Sequence, residues 1–188
     1  MALLIAGLVL FLGIHFVPTI PAWRNAAVTR WGEQRYKGAF SLASGVGLLL
    51  IVAGYALSDR GPQLFAPIAA AWKIAPLVVM VALILIAAAN MPSYIRATLR
   101  HPMLLGVLLW SGVHLLANGS LRASVLFGAF FVWAALDLVS AIARGATRRF
   151  TPRAKYDAMS IGGGILLALV FMAAHRVLFG VRVVPFSL

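Results

Sequence analysis

Six apolar runs divide the sequence, at residues 2–20, 38–57, 64–89, 102–117, 121–142 and 159–178. Each approaches the roughly 20 residues that an α-helix needs to cross a hydrocarbon core about 30 Å thick. Lipid offers no partner to a free backbone N–H or C=O, so runs of this kind must fold as helices packed against one another. Residues are 63% hydrophobic and only 11% charged, whereas a soluble domain carries about 25% charged residues. The expectation is a single all-α domain over residues 1–188, a polytopic membrane helical bundle of about six transmembrane helices. No basic residue precedes the first run, which reads as a span and not as a cleaved signal. Residues 23–37 place Trp23, Ala27 and Trp31 on one helical face and read as a connector lying at the headgroup level.

The net charge of +12 is a matter of topology, not of nucleic-acid binding. Arg24, Arg30, Arg35, Lys37, Arg96, Arg100, Arg144, Arg148, Arg149, Arg153 and Lys155 fall in the connectors after the first, third and fifth runs. The other side has Arg60, Lys73, Arg122, Arg176 and Arg182. The positive-inside rule therefore puts the first set in the cytoplasm and both termini on the far side, with the lipid bilayer as the main partner. There is no cysteine, and the acidic residues are Glu33, Asp59, Asp137 and Asp157. Disulfides, thiolate metal sites and covalent c-type haem attachment are excluded, as is a di-iron carboxylate centre.

Polar chemistry gathers in residues 96–120. Pro102 suits the first turn of a helix and Asn118-Gly119 its end, so one helix is expected over about 102–117. Gly106, Trp110, His114 and Asn118 then share a face, each four residues from the last. Imidazole and carboxamide are costly against lipid, so that face looks inward. Helix bundles build cofactor sites from such inward side chains, and neutral imidazole is a common axial ligand of haem iron.

Depth decides which of His15, His101, His114 and His175 can pair. If the first helix covers 4–24, His15 and His114 both lie roughly 16 Å into the core, close to its midplane. If it ends at Pro18, they separate by about 10 Å, and His114 with His175 becomes the better pair. Gly7, Phe11 and His15 share a face that suits a flat macrocycle and equally suits plain packing. Arg96, Arg100 and Arg122 are candidate partners of haem propionates or plain interfacial anchors. Asp137 is a candidate acceptor for a ligand histidine's second nitrogen or an ordinary interhelical bond. Ser41, Ser44, Gly45 and Gly47, and the run Gly162-Gly-Gly164, read as sites of close helix approach.

A specific resemblance rests on Gly13-Ile-His15, on Arg100-His-Pro102 with Gly106, on Leu109-Trp110, on His114-Leu-Leu-Ala-Asn-Gly119, on Leu126-Phe-Gly128, and on His175 with Phe179-Gly180. Over essentially its whole length the chain resembles the NnrU family of bacterial membrane proteins. That family is associated with nitrite and nitric oxide reduction in denitrifiers and is similar to the 15-cis-zeta-carotene isomerase of plants, a haem b protein with histidine ligands. The resemblance implies a multi-pass protein of the bacterial inner membrane with His15 and His114 as iron ligands and His101 close by. Arg100, Trp110 and Asn118 complete the candidate cofactor-binding set.

Three functions are expected alternatives. One is a haem b protein serving as a redox module with a redox partner, or as a cis-trans isomerase of a hydrophobic polyene. A second is a membrane methyltransferase, since Arg100-His-Pro-Met-x-x-Gly106 resembles the signature of the isoprenylcysteine methyltransferase group, which uses S-adenosylmethionine; that group's downstream acidic pair is missing here. The third is a cofactor-free assembly or transport factor.

Overall fold

The computed structural model describes residues 1–147, 149–180 and 183; Arg148 and Arg182, counted above among the connector charges, lie outside them. The chain is an all-α bundle of eight helices among the described residues: α1 (Ala2–Phe16), α2 (Pro21–Trp31), α3 (Glu33–Leu57), α4 (Ala69–Ala88), α5 (Tyr94–Leu99), α6 (Pro102–Asn118), α7 (Leu121–Ala143) and α8 (Ala154–Phe179). A single 3-10 turn, Val17–Thr19, follows α1. The five helices at Ala2–Thr19, Glu33–Leu57, Ala69–Ala88, Leu121–Ala143 and Ala154–Phe179 are long and apolar enough to cross a membrane. The remaining expected span, α6, has 17 residues and reaches roughly 26 Å at about 1.5 Å per residue.

Side by side the long helices run α8, α4, α6, α7, α1, α3. Small residues set the closest approaches. A Cβ on Gly7 would stand 2.6 Å from the Ile51 nitrogen and one on Gly47 2.9 Å from Phe11, while Gly54 lies against Leu4. These contacts make α1 and α3 one tight antiparallel pair. On the other flank Gly106 of α6 and Gly164 of α8 both press on α4, against the Ala82 carbonyl and Ile84 respectively. Gly45, Gly162 and Gly163 have nothing within 4 Å of a built Cβ, so of the glycines in the two small-residue runs only Gly47 and Gly164 serve that purpose. The core between the flanks is Leu4, Leu8, Leu12, Ile51, Leu104, Leu126, Phe127 and Trp133.

Several boundaries differ from the sequence expectation, each for a local reason. The first helix stops at Phe16, because Pro18 falls in the 3-10 turn and has no N–H to continue an α-helical ladder. The third helix starts at Glu33, directly after Gly32 (φ +79°), so the expected connector shrinks to α2, with Trp23 and Trp31 both exposed. The fourth starts at Ala69, because the preceding residues form an extended strap across the α6–α7 turn. In that strap Leu64 donates to the Gly119 carbonyl (2.8 Å), Ile68 to Leu116 (3.0 Å), and Leu121 donates back to Pro62 (2.9 Å). Pro102 and Asn118-Gly119 bound α6 as expected, with Gly119 in the left-handed region at φ +71°.

Antiparallel neighbours give the bundle two unlike ends. The basic end carries Arg96, Arg100 and Arg144; the strap end carries Asn118, Gly119 and Arg122.

Candidate functional site

Two imidazoles are presented by the same local device. In α1, His15 Nδ1 lies 2.6 Å from the Phe11 carbonyl oxygen, and in α6, His114 Nδ1 lies 2.8 Å from that of Trp110. A carbonyl only accepts, so in each ring Nδ1 carries the proton and Nε2 keeps its lone pair. This is the tautomer that a metal-ligating histidine requires. Each ring also has an aromatic neighbour one turn earlier: Phe11 stacks on His15 at 4.3 Å, and Trp110 lies 5.5 Å from His114. Phe127 of α7 stacks on His114 at 4.7 Å and 29°.

The two units meet through one ring. Phe130 of α7 touches Phe11 at 5.7 Å and Trp110 at 5.5 Å. Because α1 and α6 run in opposite directions, the histidines diverge from that meeting point. His15 sits against Trp133, at 5.8 Å, and against Phe40 of α3. Along α7, the six residues from Phe127 to Trp133 put His15 roughly 9 Å nearer the basic end than His114. Since α1 ends before Pro18, this is the second of the two depth arrangements set out from the sequence.

His175 of α8 lies within electrostatic reach of His114. Gly106 and Gly164 press on α4 at one level, so His114 lies roughly 12 Å and His175 roughly 17 Å further towards the strap end. The two levels differ by about one helical turn. His175 also packs on Phe179 at 4.9 Å.

The other candidates separate into two groups. Asn118 donates its amide to the His114 carbonyl at 2.7 Å, which holds the last turn of α6 and not the imidazole itself. His101 and Arg100 open α6, roughly 20 Å along it from His114. His101 and His15 lie within electrostatic reach of Asp137. The carboxylate is 3.8 Å from Arg144, whose guanidinium also reaches the Thr19 carbonyl and Ser140 Oγ. Asp137 is thus not the acceptor for Nδ1 of His15 or His114; the backbone carbonyls are. Among the described residues, no group of three or more His, Cys, Asp or Glu is placed to hold a metal ion.

The three arginines proposed as propionate partners have unlike fates. Arg122 donates to the Tyr55 and Ser58 carbonyls at 2.8 and 2.5 Å and lies over the Tyr55 ring at 4.3 Å. It closes the end of α3 through one terminal nitrogen, while its Nε is buried without a hydrogen-bond partner. Arg96 and Arg100 face a cavity at the basic end.

Sequence reasoning overlooked Ser93 and Asp157. Ser93 Oγ accepts from Arg96 N (3.1 Å), and the Asp157 carboxylate accepts from the backbone of Tyr94 (3.0 Å) and Ile95 (2.9 Å). Ser93-x-x-Arg96 alone is a weak cap signal, and the α8 carboxylate is distant in sequence.

A family model described as NnrU protein matches residues 3–183 of the chain. No curated protein and no solved structure matches it.

Proposed function

From the premise that the chain belongs to the NnrU family, we propose that it is a haem b-binding protein of the bacterial inner membrane with His114 as an axial ligand. It would act in nitrite and nitric oxide metabolism or in redox-dependent cis-trans isomerisation of a polyene. The observation that carries this reading is the commitment of Nδ1 in His114 and in His15 to a carbonyl one turn earlier, which leaves Nε2 free to bind a metal. The flat faces of Phe127 and Trp110 beside His114 suit a planar macrocycle.

His114 is common to both possible pairings. The resemblance assigns His15 as the second ligand. Level supports His175 instead: Phe130 and its neighbours stand between His114 and His15, whereas His114 and His175 lie about one helical turn apart in level, on the two helices that flank α4. When bound, haem b supplies a one-electron iron centre whose potential is set by its axial ligands and by the apolarity around it. The protein's own part is to fix the tautomer, to hold the rings by stacking and to keep the site dry. By the positive-inside rule the basic end faces the cytoplasm.

Absorption spectroscopy of the purified protein tests the proposal. A Soret band that disappears in His114→Ala supports it, and a preparation with no Soret band, grown with ample haem, overturns it. In the same series, His175→Ala converting a six-coordinate to a five-coordinate spectrum, with His15→Ala leaving it unchanged, assigns the second ligand by level; the reverse assigns it by resemblance.

A further inference from the structure

The basic end holds a feature that the imidazole pair does not use. A cavity of about 290 Å³ opens between the end of α4 (Ala89, Asn90), α5, the first turn of α6, and the loop after α7. Arg96 and Arg100 both line it, and no carboxylate is among its lining residues. Neither guanidinium has an ion-pair partner among the described residues; Arg96 lies over the Phe150 ring at 4.9 Å. Met103 and Leu104 also line it. They are the second and third residues of α6, whose N-cap, His101, makes no side-chain capping bond, so their N–H groups have no intrahelical acceptor. Two guanidinium groups and the positive end of a 17-residue helix converge on one space, which is a setting for an oxyanion.

The backbone is strained to make that space. Arg100 has φ +62° and ψ −45°, and the His101 N–H donates to the Leu99 carbonyl at 2.6 Å. This is the γ-turn of positive φ, rare for any residue with a Cβ. It is also the one positive-φ position not occupied by glycine among the described residues. Strain of this kind persists where surrounding structure enforces it and collects at ligand clamps. Enforcement is visible: Ser93 and Asp157 pin the start of α5, and Pro102 fixes the start of α6. A second cavity, also about 290 Å³, lies on the other side of Arg100 and His101 and is walled by Leu99, Leu105, Leu138 and Ile142.

We propose that the basic end is a binding site for a phosphate-bearing amphiphile, with its phosphate held by Arg96, Arg100 and the α6 N-terminus and its hydrocarbon chain in the adjoining apolar cavity. Two guanidinium forks and two backbone N–H groups match the several oxygens of a phosphate better than the two of a carboxylate.

The test titrates the full-length protein, in a non-ionic detergent, with dodecyl phosphate and separately with inorganic phosphate, followed by 31P line broadening. Dodecyl phosphate is expected to bind at least tenfold more tightly than inorganic phosphate, and Arg96→Ala to weaken it by tenfold or more. Arg30→Ala, a charge-matched change on α2, leaves binding intact. Arg100→Gly is the decisive variant. Glycine adopts positive φ without strain, so this protein is expected to melt at a higher temperature than the wild type and yet to bind dodecyl phosphate at least tenfold more weakly. Equal binding of the two phosphates overturns the amphiphile assignment. Undiminished binding in Arg96→Ala and Arg100→Gly overturns the site.

Discussion

The strap end and the basic end use the same residue type in opposite ways. At the strap end Arg122 is spent on structure, donating to the carbonyls of Tyr55 and Ser58 that α3 leaves over at its terminus. The extended strap, the turn at Gly119 and Gln63, which donates to the Phe65 and Asn118 carbonyls, close that end with backbone hydrogen bonds. At the basic end Arg96 and Arg100 carry no such load. They border a cavity, beside a strained turn and an uncapped helix start. One end is built for closure, and the other holds unmet donors around a space.

This contrast breaks most readily at Gly119. Its φ of +71° and its contact with the Phe65 carbonyl make Gly119→Val the most damaging single change, with an expected loss of about 3 kcal/mol in reversible unfolding in detergent. Arg122→Met comes next. It strands the α3 carbonyls and is expected to cost about 2 kcal/mol, whereas Arg96→Met at the other end should change stability by less than about 0.5 kcal/mol; equal losses would remove the distinction. Asp157→Ala removes the acceptor for two N–H groups of α5 and should cost about 1 kcal/mol. Faster amide exchange at Tyr94 and Ile95 would report it. Similar in size and opposite in sign, Arg100→Gly should gain about 1 kcal/mol by releasing the γ-turn.

What the sequence made legible was local. Pro102 and Asn118-Gly119 bound their helix because both signals act within one turn of chain. The inward face of α6 was readable because an imidazole and a carboxamide are costly in lipid. The five long spans follow from apolar length alone. Less accessible was anything settled by a partner distant in sequence. Residues 64–68 are expected from sequence to open the third span, yet they belong to a strap because the α6–α7 turn offers acceptors to Leu64 and Ile68. Asp157 looks like one acid in a basic loop until α5 is seen to rest its first N–H groups on it. The sequence sets Arg100 apart from Arg122 by its neighbour His101, but not by the α3 carbonyls that engage Arg122, which are distant in sequence. The relative depth of His15 and His114 turned on where α1 stops, a matter of two residues around Pro18.

The wedge formed by Phe130 between Phe11 and Trp110 carries a last consequence. Since α1 and α6 point opposite ways, the imidazoles it parts are displaced towards opposite ends of the bundle. An alkylating reagent admitted from one end alone would therefore discriminate between residues 15 and 114, giving the protein a chemical sidedness along its own axis.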